Sequence, residues 1–239
     1  MPERAGHGTR DPTDYYATTP ELAALVIEAI APMVRTPASI LEPGCGAGVW
    51  LDALARTWPE AELRGIEIHE DLAAYSRQRG FSVRTGDLLN NELGDHDLII
   101  GNPPFRHLDD LVPLLLDHLR PNGWLVLLLR LNFLAGQDRY ARLWQSRPPA
   151  FVLPLPARPG FSPDGSTDAT DYAIYLWSAT ATRQGETRLR HLDNRLIENR
   201  WSQGRKEKPD PRFPDPRRPA EHGLGSGLSG ARSAPARHG

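Results

Sequence analysis

Short apolar segments alternate with segments of helical periodicity along most of this chain. In the first helical segment, Leu22, Leu25, Val26 and Ile30 recur at the spacing of one helix face. Repeated alternation of this kind predicts a single α/β domain, a doubly wound and mostly parallel Rossmann-like sheet with helices on both faces. The predicted helices are Pro20–Val34, Val49–Thr57, Glu70–Arg79, Leu108–Leu119 and Gln137–Gln145. The predicted strands are Ser39–Glu42, Glu62–Ile68, Phe81–Arg84, Asp97–Gly101, Gly123–Leu131, Ala150–Leu155 and Asp171–Ser178, of which the last are close enough in sequence to pair antiparallel.

The domain is predicted to occupy residues 14–182, after a disordered leader over residues 1–13. Within residues 183–202, the segment Arg188–Trp201 is predicted to form a charged helix. Residues 203–239 are rich in Pro, Gly, Arg and Ser and have few apolar residues, which predicts a disordered tail.

Composition limits the class of protein. With 239 residues and 39% hydrophobic content, the chain can bury one core. No apolar run reaches membrane-spanning length, so no membrane contact is expected, and the single cysteine, Cys45, fits a reducing, cytoplasmic location. From Arg183 onward there are 13 Lys and Arg against 7 Asp and Glu, so this part carries about +6, whereas the whole chain has a net charge of −2. The part of the chain before Arg183 is therefore acidic, which counts against tight nonspecific binding of nucleic acid.

A glycine-rich loop follows the first predicted strand. Its sequence is Glu42-Pro43-Gly44-Cys45-Gly46-Ala47-Gly48. Alternate glycines let the backbone turn tightly beside a ligand at a helix N-terminus, although a dinucleotide loop or a plain turn is also compatible with them. Glu42 would repel a pyrophosphate and suits a cationic amino group, which favours S-adenosylmethionine over a dinucleotide.

Acidic residues also follow the second and third strands. Glu67, followed by Ile68, ends the second strand and can accept hydrogen bonds from ribose hydroxyls. Asp87 lies in Gly86-Asp87-Leu88 after the third strand and can accept from an adenine amine. Either residue taken alone could be an ordinary solvated or turn carboxylate.

The fourth strand delivers Asn102-Pro103-Pro104-Phe105 to the edge of the sheet where ligands bind. The two prolines remove backbone donors and fix φ, so that carbonyl groups can be aimed at a ligand. The Asn102 amide oxygen and the Pro103 carbonyl are predicted to accept from one amino group and localise its lone pair for attack on a sulfonium methyl. Phe105 is predicted to stack on the planar group that carries the amine.

Together these motifs resemble class I S-adenosylmethionine-dependent methyltransferases of the Asn-Pro-Pro-Phe branch, which methylates adenine N6. The resemblance covers roughly residues 14–178 and extends to phage and prophage DNA adenine methyltransferase-like proteins. The resemblance implies that S-adenosylmethionine is the cofactor and that the substrate is nucleic acid, with DNA favoured over RNA. It implies cofactor contacts at Tyr16, Thr18, Thr19, Pro20, Glu42, Pro43, Gly44, Gly46, Gly48, Glu67, Ile68, Gly86, Asp87, Leu88 and Asn102. It also implies catalytic roles for Asn102, Pro103, Pro104 and Phe105, and substrate contacts at Phe105, Arg158 and Phe161.

Several alternatives remain open from the sequence. Residues 105–178 leave no room for a target-recognition domain, so sequence specificity would need a separate partner. The rival interpretations are methylation of adenine in RNA, methylation of glutamine in protein, and a cofactor-binding subunit without turnover of its own. Cys45 lies in the glycine loop and is not expected to be a nucleophile, His107 is expected to begin a helix, and no residue spacing predicts a metal site.

Overall fold

The computed structural model describes residues 17–161, 170–180 and 186–196, all within one compact unit. The predicted leader and tail, and Tyr16, lie outside the described residues. The helices are α1 (Pro20–Ile30), α2 (Val49–Thr57), α3 (Glu70–Gln78), α4 (Leu108–Asp117) and the single turn α5 (Gln137–Arg139). The strands are β1 (Ser39–Pro43), β2 (Glu62–Glu67), β3 (Ser82–Thr85), β4 (His96–Gly101), β5 (Leu119–Arg130), β6 (Phe151–Pro154), β7 (Tyr172–Ser178) and β8 (Arg188–Leu189).

All eight strands form one sheet in the order β3-β2-β1-β4-β5-β7-β6-β8. Neighbouring strands from β3 to β5 pair in parallel, and β7 runs antiparallel to both β5 and β6. The strand order reverses between β1 and β4, which makes the carboxyl edge there the expected ligand crevice. The Rossmann-like α/β prediction and the antiparallel final strands are therefore confirmed.

Alternate side chains of the central strands divide the core between the two faces of the sheet. Ile40, Leu98 and Val126 pack with α1 and α2 on one face. Leu41 and Ile99 pack with α4 on the other face. Parallel sheets with helices on both faces have strands that are buried on both faces. The loops at the carboxyl edge are therefore attached to well-packed strands.

Two helices begin in ways that matter for the ligand crevice. Thr19 caps α1, because its hydroxyl accepts from the amide of Leu22 at 3.2 Å, and Pro20 occupies the first helical position. Gly48 precedes α2 with φ +78° and has no side chain to cap it. The cap comes instead from Glu42 of β1, whose Oε2 accepts from the amide of Leu51 at 3.1 Å.

The predicted charged helix over Arg188–Trp201 is wrong at its beginning, whereas Arg195 and Leu196 are helical and residues 197–201 lie outside the described residues. Arg188–Leu189 forms β8, which pairs in parallel with β6. The amides of Arg188, Arg190 and Leu192 donate to the carbonyls of Ala150, Val152 and Pro154. The free edge of β6 thus captures this segment, a tertiary effect that local helical spacing does not reveal.

Candidate active site at the carboxyl edge of the sheet

A cavity of about 310 Å³ opens at the carboxyl edge, where the loops after β1, β2, β3 and β4 converge. The predicted cofactor residues that line it are Thr18, Glu42, Gly44, Gly46, Glu67, Ile68, Gly86, Asp87, Leu88 and Asn102. The four loops that follow these strands, together with Thr18 from the segment before α1, therefore meet in one cavity. This convergence follows from parallel pairing, which brings the carboxyl ends of these strands to one edge.

The glycine loop contacts the Asn-Pro-Pro-Phe segment directly. Gly44 has φ +70°, and a Cβ built on it would lie 3.2 Å from Cδ of Pro104. The Gly44 amide also donates to the carbonyl of Ile66 at 2.8 Å, which joins the loop to β2. A larger residue at Gly44 would therefore be strained in its backbone and would push the two loops apart.

Glu42 is 1% exposed and lies between the cavity and the start of α2. Burial raises the pKa of this carboxyl well above its ordinary value, and the nearby Glu67 raises it further, against the lowering effect of the Leu51 amide. A cationic ligand group beside Glu42 would favour the ionised form. Glu42 thus fits the predicted amino-group contact and also caps α2.

Glu67 is 4% exposed, and each of its carboxylate oxygens accepts a backbone hydrogen bond. The Gly46 amide donates to Oε2 at 2.7 Å and the His69 amide to Oε1 at 2.9 Å. Carboxylate oxygens have further lone pairs, so Glu67 can accept from ribose hydroxyls while it holds the glycine loop against β2.

Asp87 caps the short 3₁₀ turn Leu88–Asn90 and also lines the cavity. Its Oδ1 accepts from the Leu89 amide at 3.0 Å. Its Oδ2 accepts from the Asn90 side chain at 3.2 Å. A role as turn carboxylate and a ligand contact are compatible, because each carboxylate oxygen has a further lone pair.

The segment before α1 closes one side of the cavity. Thr18 lines it, and the Trp50 indole N–H donates to the Thr18 hydroxyl at 3.2 Å. Thr19 and Pro20 do not line the cavity and instead begin α1. The sequence reasoning missed Trp50, whose position in the first turn of α2 could have suggested that it faces the glycine loop.

Within the Asn-Pro-Pro-Phe motif, Asn102 and Pro104 line the cavity, whereas Pro103 is buried behind them. Phe105 lies beside the cavity lining, with its ring centroid 6.1 Å from that of Tyr172. The guanidinium carbon of Arg130 lies 5.0 Å from the Phe105 ring centroid. His107 occupies the cap position of α4, which confirms that it begins a helix, and it also lines the cavity together with Arg106.

Four other predicted site residues lie away from the cavity lining. Phe161 is 8% exposed and packs in the core, with its ring centroid 4.8 Å from that of Tyr172. Arg158 makes an ion pair of 2.8 Å with Asp171 near the start of β7. Pro43 is the last residue of β1. Gly48 packs against Ser76, because a Cβ built on Gly48 would lie only 3.0 Å from the Ser76 hydroxyl oxygen.

Cys45 is buried in the glycine loop. Burial, together with the charges of Glu42 and Glu67, strongly raises the pKa of its thiol. The thiolate needed for nucleophilic attack is therefore disfavoured at neutral pH. Among the described residues, no three His, Cys, Asp or Glu side chains cluster as metal ligands, and no helix is both long and apolar enough to span a bilayer.

The fold and cavity define an α/β protein with a ligand crevice at the reversal of strand order. Residues 15–156 match the family model described as a methyltransferase domain. The chain belongs to this methyltransferase family. Membership confirms the prediction of S-adenosylmethionine as the cofactor, which the glycine loop, Glu42, Glu67 and Asp87 are suited to hold.

Individual relatives are methyltransferases with different names. The chain is similar to trans-aconitate 2-methyltransferase of Mycobacterium tuberculosis, with 28% identity over 123 residues, covering 46% of this chain and 47% of that protein. It is also similar to the modification methylase CviBIII of Paramecium bursaria Chlorella virus NC1A, with 31% identity over 72 residues, 28% of this chain and 19% of the relative. The chain thus spans about half the length, or less, of these curated relatives.

A solved structure from Vibrio vulnificus YJ016, described as the modification subunit of a type I restriction enzyme, has a similar fold. The superposition of the two structures has a TM-score of 0.58 and a sequence identity of 15%, and it covers 80% of this chain and 54% of the other. At this identity the likeness concerns the fold alone.

Proposed function

We propose that this protein transfers a methyl group from S-adenosylmethionine to the N6 amine of adenine in nucleic acid, with DNA favoured over RNA. The observation that carries the proposal is that Asn102 and Pro104 line the same cavity as the glycine loop. An acceptor amine held by the Asn-Pro-Pro-Phe motif would therefore lie next to the methyl donor. The resemblance of Asn102-Pro103-Pro104-Phe105 to the motif of amino-methylating enzymes supports this acceptor.

The proposed chemistry is an in-line displacement. When bound, S-adenosylmethionine supplies an electrophilic methyl group on a sulfonium. The Asn102 amide oxygen accepts from the adenine amine, which localises the nitrogen lone pair and orients it toward that methyl, whereas the predicted contact of the Pro103 carbonyl has no support because Pro103 does not line the cavity. The hydrogen bond to Asn102 strengthens as the nitrogen becomes tetrahedral, so Asn102 stabilises the transition state more than the bound substrate.

Positioning accounts for most of the proposed rate. Pro104, Leu111 and Trp50 give the cavity apolar walls, which would exclude water from the transfer position once cofactor and acceptor are bound. The proton of the methylated amine is acidic, so no strong base is needed. A duplex adenine would have to be flipped out of the helix to reach Asn102.

The decisive experiment compares Asn102→Ala with Asn132→Ala, a matched control in an exposed turn after β5. Asn102→Ala should bind S-adenosylmethionine normally by calorimetry and methylate about 100-fold more slowly or worse. Asn132→Ala should keep both properties.

The same assay identifies the acceptor. Labelled cofactor is supplied with separate pools of DNA, RNA, protein and small carboxylic acids, and digested nucleosides are examined by mass spectrometry. The expected product is N6-methyladenine in DNA. Label found only in protein or in a carboxylic acid would refute the proposed acceptor, as would an undiminished rate in Asn102→Ala.

A further inference from the structure

Trp50 is a buried residue that lines the cavity and has a single polar group. It is the second residue of α2, is 3% exposed and belongs to the core on the α1 face. Its indole N–H donates to the Thr18 hydroxyl at 3.2 Å. An indole N–H can only donate, so the Thr18 oxygen must accept, and the hydroxyl keeps its own O–H as a donor. Trp50 therefore sets the role in which the Thr18 hydroxyl meets the cavity.

Thr18 is held at the cavity wall from two sides. It is 6% exposed, and within the described part of the chain the Trp50 indole is the one hydrogen-bond partner of its side chain. The next residue, Thr19, caps α1 by accepting from the Leu22 amide, so the start of the helix fixes the backbone beside Thr18. A buried hydroxyl gains from a second partner, which an acceptor group bound in the cavity would supply.

The first turn of α2 also holds a second polar group of the cavity lining. The amide of Leu51, the residue after Trp50, donates to Oε2 of the buried Glu42 at 3.1 Å. Consecutive residues of one helix thus bind an acceptor, Glu42, and a donor, Thr18. A ligand group with an ammonium and a carboxylate on the same carbon matches this pair. The amino acid portion of S-adenosylmethionine is such a group.

We propose that Trp50 is a positioning residue for the cofactor, which holds the Thr18 hydroxyl so that its O–H donates to the carboxylate of the methionine portion. Trp50 acts through Thr18 and makes no hydrogen bond of its own to that carboxylate. Hydrogen bonds to an ionised acceptor are stronger than those between neutral groups, so the direction of this one hydroxyl affects affinity. The proposal rests on the cofactor that family membership assigns, and it goes beyond the choice of adenine as acceptor.

The test compares Trp50→Phe with the matched control Trp177→Phe. Trp177 is 2% exposed, its indole N–H donates to the Arg147 carbonyl at 3.1 Å, and it does not line the cavity. Each substitution removes one buried indole N–H and keeps an aromatic ring. Calorimetry measures the Kd of two probes: S-adenosylhomocysteine, which has the amino acid portion, and methylthioadenosine, which has the nucleoside and the sulfur but lacks that portion.

Trp50→Phe should raise the Kd of S-adenosylhomocysteine by about 5-fold, because the Thr18 hydroxyl is no longer held as a donor. The Kd of methylthioadenosine should stay unchanged, since this probe has no carboxylate. Trp177→Phe should change neither Kd. Equal weakening of both probes by Trp50→Phe would mean that the ring only shapes the cavity, and it would overturn the proposal, as would an unchanged Kd of S-adenosylhomocysteine.

Variants of Thr18 test the second step and decide the case if Trp50→Phe folds poorly. Thr18→Val removes the hydroxyl at nearly the same volume and should raise the Kd of S-adenosylhomocysteine by roughly 10-fold, again without effect on methylthioadenosine. Thr18→Ser keeps the hydroxyl and should retain most of the affinity. If Thr18→Val binds S-adenosylhomocysteine as the parent does, the proposal is wrong.

The double variant separates a role through Thr18 from an independent one. Trp50→Phe added to Thr18→Val should cause no further loss of affinity, because the hydroxyl that Trp50 holds is already absent. A further loss as large as that of Trp50→Phe alone would refute the positioning role. The assay contains no methyl acceptor, so its result is independent of the outcome for Asn102→Ala and of the nucleic acid proposed as substrate.

Discussion

Gly65 in β2 is required by close packing against the glycine loop. A Cβ built on Gly65 would lie 2.7 Å from Sγ of Cys45 and 3.1 Å from Val83. Cys45 is itself 4% exposed, so it has little space in which to move. The thiol therefore acts as a packed apolar group that ties the cofactor loop to β2.

Gly65→Ala should destabilise the protein by about 1–3 kcal/mol because it overpacks this contact. Cys45→Ala should retain methyl transfer, since its thiol takes no part in the proposed chemistry. The double variant should recover much of the stability lost in Gly65→Ala, as measured by urea unfolding. Additive losses in the double variant would argue against a direct contact between the two positions.

His96 is a second residue whose burial has a measurable consequence. It is 1% exposed, with Nε2 2.9 Å from the Leu93 carbonyl and Nδ1 2.7 Å from the Ser39 hydroxyl. The carbonyl can only accept, so in the neutral ring Nε2 donates and Nδ1 accepts from Ser39. Burial lowers the pKa of His96, and the nearby Arg64 and Arg120 lower it further, against the raising effect of the Leu93 carbonyl.

Because this pKa is lower in the folded state, the unfolded state binds more protons below pH 6.5, the ordinary value. The stabilisation by neutral His96 is present above that pH and is lost as the pH falls. We expect this loss to appear as a urea midpoint that falls with pH. His96→Gln should flatten this pH dependence, and His191→Gln, at an exposed position, should not. An identical pH dependence in all three proteins would exclude His96 as its source.

At the scale of elements, α3 supports the glycine loop without lining the cavity. The Ser76 hydroxyl donates to the Gly46 carbonyl at 3.1 Å, and Nη1 of Arg79 donates to the Ala47 carbonyl at 2.6 Å. Arg79 also pairs with Asp52 of α2. These contacts fix the Gly46 and Ala47 carbonyls, and with them the conformation of the glycine loop.

Arg79→Met should therefore raise the KM for S-adenosylmethionine by roughly 10-fold with kcat nearly unchanged, the signature of lost ground-state binding. Arg77→Met is the matched control, because Arg77 lies on the same helix and makes an exposed pair with Glu70. If both substitutions change KM equally, the effect belongs to the helix and Arg79 has no special role.

The elements also show how far sequence reasoning reaches. Val49–Thr57 was predicted with the observed bounds, because its helical spacing and packing agree. Gln137–Gln145 was predicted as one helix, but only Gln137–Arg139 is α-helical and Tyr140–Trp144 is a π-helical turn. There Trp144 packs on Tyr175 and Trp177, so tertiary packing sets the local winding.

The site was predictable where the polar residue directly follows a strand, as with Glu67, Asp87 and Asn102. Parallel pairing brings such positions together whatever their distance in sequence. Phe161 was placed at the substrate by resemblance, yet its ring is in the core. The contact between Arg130 and the Phe105 ring was not predicted, because a charged residue at a strand end gives no indication of which aromatic ring it will contact.

At the scale of the whole molecule, the segment 186–196 completes the sheet and part of the core. Leu192 is 8% exposed and joins the core on the α1 face. The Asn194 side chain is fully buried and bonds both backbone groups of Ala157, accepting from its amide at 3.0 Å and donating to its carbonyl at 2.8 Å. The Asn194 side chain thus satisfies the backbone of the segment after β6 as a neighbouring strand would.

Asn194→Ala should leave the Ala157 amide and carbonyl without these partners and cost about 1–3 kcal/mol. Asp193→Ala is the matched control, since Asp193 is exposed and pairs only locally with Arg195 among the described contacts. Its loss should change the urea midpoint little, because exposed ion pairs contribute little to stability. Equal midpoints for the two variants would show that Asn194 does not hold the segment.

Two truncations extend this argument to the whole chain. A chain ending at Gln203 should keep the parent melting temperature, because the composition of residues 204–239 offers few core-forming side chains. A chain ending at Thr180 should melt several degrees lower, because it loses β8, the burial of Leu192 and both Asn194 hydrogen bonds. Differential scanning calorimetry of the two products separates these cases. A large drop for the chain ending at Gln203 would mean that residues beyond it pack on the domain. An unchanged melting temperature for the chain ending at Thr180 would mean that the 186–196 segment docks without contributing to stability.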